Sequence, residues 1–216
     1  MTNSAMTSSA TAPATAAEPA TDPAAPPADP RPLMGSAMDV VERLLVLVGP
    51  ADLAAPTPCA GWSVRDLLAH LVAVTHRVAH IARGGRPFEL PSLVEAVPGD
   101  DWPAAWRAGR ADLEAAWADD DLLTRTVVHP AGEMPGAVAG TIYVQEFTVH
   151  AGDLAAALGR TDLLDDDLAR RMLEVSTRFL PASPRGGPVP FGPVVDVPAD
   201  APAHVRLAAW LGRPAG

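Results

Sequence analysis

Glu146 and His150 stand four residues apart, and Asp153 follows three further on. On a helix, at ~100° per residue, these three side chains fall within ~60° of one another. Ile142, Val149 and Leu154 flank them, so the shared face is expected to lie against a core, where a carboxylate beside an imidazole must be paired or must ligate a metal. Alone, the Glu-x-x-x-His spacing is weak evidence, because a surface pair of this kind also stabilises a helix by ~0.2–0.5 kcal/mol. His70 strengthens it. That residue belongs to the apolar stripe Leu67, Leu71, Val74, Val78 and Ile81 of a second helical segment and therefore points inward. Two imidazoles and one carboxylate form a metal set that leaves coordination positions open. The expected chemistry is binding of one divalent metal by His70, Glu146 and His150, with Asp153 orienting a ligand from behind. Zinc is the first choice, and nickel or manganese also suit this donor set.

The other candidates have blander readings. His76 and His80 are displaced from His70 by more than ~80° in helical phase, so they read as partly exposed residues beside Arg77. His129 and His204 have no partner at ligand spacing and read as structural. Cys59 lies in a loop before a helix N-terminus, where a thiol can be activated, but packing in the connector outweighs a redox or nucleophilic role. Trp102, Trp106, Leu113 and Trp117 share one helix face and read as core rather than as a cofactor box. The sequence contains no GxGxxG, Walker, GxSxG or CxxC motif, which removes the usual warrants for nucleotide binding and serine hydrolysis.

Composition narrows the partners. Acidic residues outnumber basic ones by 26 to 16 without a basic run, which argues against nucleic acid or anionic lipid. A single cysteine permits no internal disulfide and fits a reducing cytoplasm. No positive residue precedes Arg31 and no stretch approaches the ~20 apolar residues of a membrane span. A cytoplasmic protein is expected. The chain's 216 residues suit one domain.

Those residues need elements to hold them. Residues 1–32 contain no Leu, Ile, Val, Phe or Trp and read as a disordered Ala/Pro/Thr-rich tail, leaving residues 33–216 as the domain. Ser-x-x-Asp signals at Ser36 and Ser63 predict helix starts, the first helix ending at Gly49-Pro50 and the second at Gly84-Gly85. A third helix is expected from Asp101. A short hairpin is expected around Ala131-Gly132, then a fourth helix to Leu158, a fifth over 166–180 and a last over 202–211.

The stretch Pro56-Thr-Pro-Cys-Ala-Gly-Trp-Ser-Val-Arg-Asp-Leu-Leu-Ala-His70 resembles the entry signature of the mycothiol-dependent maleylpyruvate isomerase type of metal-binding domain, within the DinB-like helical superfamily. Glu146-Phe-Thr-Val-His150-Ala-Gly-Asp153-Leu-Ala resembles its second signature, and the likeness extends from Met34 to Arg213. The resemblance implies a mainly α fold, a DinB-like up-and-down four-helix bundle with a short hairpin and a small C-terminal extension. It also implies ligands at His70, Glu146 and His150, and use of a low-molecular-weight thiol such as mycothiol. One departure lies near the site, since Gly152 stands where relatives often carry Trp. The longer C-terminal domain of the isomerase is absent from this sequence, which argues against maleylpyruvate as substrate. The favoured function is a metal- and thiol-dependent transferase or isomerase acting on a small electrophile. A non-catalytic metal-binding module and a metal-assisted hydrolase are the alternatives.

Overall fold

The structure, a computed structural model, describes residues 28–186 and 191–213. Most of the expected tail, residues 1–27, lies outside the described residues. The first helix, α1 (Arg31–Leu45), begins five residues before Ser36. Pro32 sits in its first turn, where a fixed φ favours helix initiation and a missing N–H costs nothing. The Arg31 guanidinium fastens this start by bonding Asp29, Asp120 and the Trp117 carbonyl. The Ser36 hydroxyl donates instead to the Pro32 carbonyl inside the helix, so that Ser-x-x-Asp signal is not a cap.

The equivalent signal at Ser63 is one. In α2 (Val64–Ala82) the Ser63 side chain accepts from the Asp66 N–H, while the Asp66 carboxylate accepts from the Ser63 N–H at 2.9 Å. Asp101 caps α3 (Trp102–Ala116) through the Ala104 N–H. The tryptophans of α3 are core, as their phase predicts: Trp106 meets Phe147 edge-to-face, and the Trp117 indole donates to the Val78 carbonyl.

A two-stranded antiparallel hairpin follows, β1 (Thr126–His129) and β2 (Gly132–Pro135), with Val127 opposite Met134. It leads into α4 (Gly136–Leu158), which Gly159 ends in the left-handed conformation, φ 64°. α4 is apolar on most sides because α1, α2, the hairpin and the two later helices α5 (Asp166–Phe179) and α6 (Ala203–Trp210) all pack on it. Gly140 lets α1 approach closely, since a methyl added there would lie 2.5 Å from Pro30 and 2.8 Å from the Trp117 ring. α1 packs on α4 and α3, and α2 packs on α3 and α4, which closes the expected four-helix bundle. α5 and α6 pair with each other against α4 as the C-terminal extension. Among the described residues no helix is long and apolar enough to cross a membrane.

Candidate metal centre

The packing of α2 against α4 puts two inward imidazoles side by side. The His70 and His150 rings lie 4.9 Å apart, edge to face, and both Nε2 atoms face the same oxygen of Glu146, at 3.0 Å from His70 and 3.5 Å from His150. One donor atom from each of the three residues lies within 4.8 Å of the others.

The far nitrogen of each ring is also engaged. His70 Nδ1 lies 2.9 Å from the Ser92 carbonyl, which can only accept, so this nitrogen carries a hydrogen and donates it. His150 Nδ1 lies 2.9 Å from Asp153 Oδ2. Asp153 is 2 % exposed and receives a second bond at 2.7 Å from Arg213 Nε, on the segment after α6. Hydrogen bonding at Nδ1 fixes ring orientation and turns both Nε2 atoms toward Glu146 Oε1.

Electrostatics follow from the same contacts. Burial pushes the Glu146 carboxyl up, but His150 and His70 outweigh it and hold the group well below its ordinary value. Burial pulls His150 down, yet the charge of Glu146 and the bond to Asp153 leave it well above the usual imidazole range. Asp153 is pushed up by burial and brought below its ordinary value by His150 and Arg213. The site is an imidazolium–carboxylate cluster, so a cation would have to displace a proton from the nitrogen it took.

Access is one-sided. The two imidazoles keep 10 % of their side-chain surface exposed and Glu146 keeps 37 %. Trp62 forms a wall: its ring is 4.9 Å from that of His70 and stacks at 6.3 Å on that of His150. A tight connector places it, with Thr57 Oγ1 donating to the Trp62 carbonyl and Gly61 at φ 79°. The same connector brings Cys59 in, its thiol 3.2 Å from Asp153 Oδ2 and 3.8 Å from His150 Nδ1. Cys59, His150 and Asp153 thus form a second cluster with donor atoms within 4.8 Å of one another. Cys59 packs against the core, as expected of the connector, and at the same time sits at the site's edge.

The remaining histidines lie elsewhere. His76 is exposed, and half-buried His80 pairs with Glu89 at 2.7 Å, a carboxylate from outside its helix. His129 packs on Tyr143 and accepts from the Ala131 N–H; burial pulls it down to about 4, so it is neutral. His204 bonds Asp166.

The sequence pattern of the mycothiol maleylpyruvate isomerase N-terminal domain matches residues 34–155. Uncharacterized proteins from Mycobacterium tuberculosis strains CDC 1551 / Oshkosh and ATCC 25618 / H37Rv are each 33 % identical over 184 residues, 84 % of this chain and 97 % of theirs. The crystal structure of the mycothiol-dependent maleylpyruvate isomerase superposes with a TM-score of 0.56 and 18 % identity, over 73 % of this chain and 72 % of that one. A histidine-to-alanine mutant of that enzyme gives 0.53 and 17 %, over 69 % of each chain. At these identities the two crystal structures show a shared fold.

Proposed function

Because the chain belongs to the mycothiol maleylpyruvate isomerase N-terminal domain family, we propose that it binds one divalent metal, zinc first, through His70, Glu146 and His150. In this reading it works with a low-molecular-weight thiol such as mycothiol on a small electrophilic substrate, as a transferase or isomerase.

The observation that carries the reading is the convergence of two Nε2 atoms on one carboxylate oxygen, with both Nδ1 atoms already engaged. Two nitrogens and one oxygen fit zinc, nickel or manganese. A divalent metal held there supplies a Lewis acid with open coordination positions. The chain's own groups do the rest: Ser92 and Asp153 orient the imidazoles, Trp62 shields one side, and the exposed flank of Glu146 admits a thiol.

The second cluster is a poorer cation site. Its donors already bond one another, and the Arg213 guanidinium lies 4.0 Å from Cys59 Sγ, so a divalent ion there would meet a fixed positive charge. A non-catalytic metal module would close its coordination sphere with protein groups; the exposed flank of Glu146 argues for an open one.

Metal analysis of the purified chain should give close to one equivalent. Thermal shift should then show stabilisation by mycothiol that disappears after chelation. Cys59→Ser should leave both results largely unchanged, because a hydroxyl still donates to Asp153 and Cys59 is neither ligand nor nucleophile. Loss of thiol-dependent activity in Cys59→Ser with metal intact would instead make Cys59 the reacting group.

A further inference from the structure

On the face of α4 next to the metal centre lies a cavity of ≈ 340 Å³, walled by Val40, Leu164, Leu168 and Leu207 and floored by Gly152. Asp153 and Arg213 form the partition shared with the metal centre, since both line the cavity while Asp153 also holds His150. The volume is in the range of small-molecule pockets, which combine apolar walls with a few placed polar groups.

Gly152 suggests that the space is kept open. A glycine in a helix interior is less favourable than an alanine. No structural reason offsets that cost here, because its φ is not positive and a methyl added to it would meet no atom within 4 Å. The contrast with Gly140 on the same helix is direct, where a methyl would strike Pro30 and Trp117.

The polar groups on the wall indicate what the space accepts. Asp153 is already bonded by His150 and Arg213, Asp165 caps α5 through the Leu168 N–H, and His204, also on the wall, pairs with Asp166 through Nδ1. Arg213 uses Nε for Asp153 and turns Nη2 toward Cys59. Among the described residues no hydrogen-bond acceptor meets its Nη1. A guanidinium edge beside apolar walls matches a carboxylate on an apolar body.

We propose that this cavity binds a small monocarboxylate with an apolar body, its carboxylate on Arg213. Naming that acid as the electrophilic substrate rests on the proposed function; the binding itself does not. The test titrates the metal-loaded full chain with 4-phenylbutyrate and with the uncharged 4-phenylbutan-1-ol by calorimetry, and measures metal content in every sample. The acid should bind saturably and about tenfold or more tighter than the alcohol, the weight of one charge-assisted contact. Gly152→Phe, and independently Ala156→Leu at the exposed rim, should each weaken the acid about tenfold or more at unchanged metal content. Absence of saturable binding, equal affinity for acid and alcohol, or full affinity in both variants would overturn the proposal. Tight binding of the acid by protein that takes up no metal on loading would uphold the cavity assignment while rejecting the metal-dependent function.

Discussion

His150→Ala should yield a folded protein that purifies with far less than one equivalent of divalent metal and has no thiol-dependent activity. The substitution removes one of three converging donors, and the Nε2 so lost faces Glu146 Oε1 at 3.5 Å. Altering a mere supporting partner of a metal ligand already costs about 10–100-fold in affinity, so deleting the ligand should cost more than that. The fold should survive, because the two carboxylates left behind keep a cationic or donor partner each: Arg213 on Asp153 and His70 on Glu146. Circular dichroism and metal analysis on one sample check both halves. Stoichiometric metal in His150→Ala would reject the ligand assignment.

Asp153→Ala should have a comparably large effect by another route. Asp153 joins two cationic groups, and the Arg213 side chain it neutralises is only 18 % exposed. Removing one partner of a buried ion pair costs about 3–5 kcal/mol. For a domain of this size that corresponds to a fall in Tm of roughly 6–20 °C. The same change frees His150 Nδ1 from its fixed acceptor, which should weaken metal affinity about 10–100-fold. Asp153→Asn separates the two effects, since an amide oxygen can still accept from His150 but cannot balance Arg213. It should therefore recover metal affinity more than it recovers Tm. Wild-type metal affinity in Asp153→Ala would show that Asp153 plays no part in orienting His150.

The convergence of His70, Glu146, His150 and Asp153 was legible because all four sit on helices, where spacing dictates direction. His70 shares the phase of Leu67, Leu71 and Val74, and Glu146, His150 and Asp153 share a face of α4, so two periodic patterns sufficed to bring them together. Groups supplied by loops were not legible. The acceptor for His70 is a backbone carbonyl at Ser92, which carries no side-chain signature. Arg213 lies 60 residues from Asp153, and no periodicity links them. Cys59 and Trp62 lie in a connector whose path is set by turns at Thr57 and Gly61, so their approach to His150 depends on tertiary packing.

The element pattern shows the same division. The Ser63 capping box, the phase of the tryptophans and the Gly159 stop are local, and each appears as read. The start of α1 is partly tertiary. Arg31 reaches Trp117 and Asp120 across the bundle, and those contacts extend the helix back beyond the point where a local cap would place it.

The most direct test of the account is the absorption spectrum of the cobalt(II)-substituted protein during titration with mycothiol. One equivalent of cobalt should bind, and added thiol should shift its visible bands and introduce sulfur-to-cobalt charge transfer in the near ultraviolet, with both changes absent in His150→Ala. Stoichiometric cobalt whose spectrum ignores the thiol would contradict a thiol-dependent function, and failure to bind cobalt would contradict the metal centre itself.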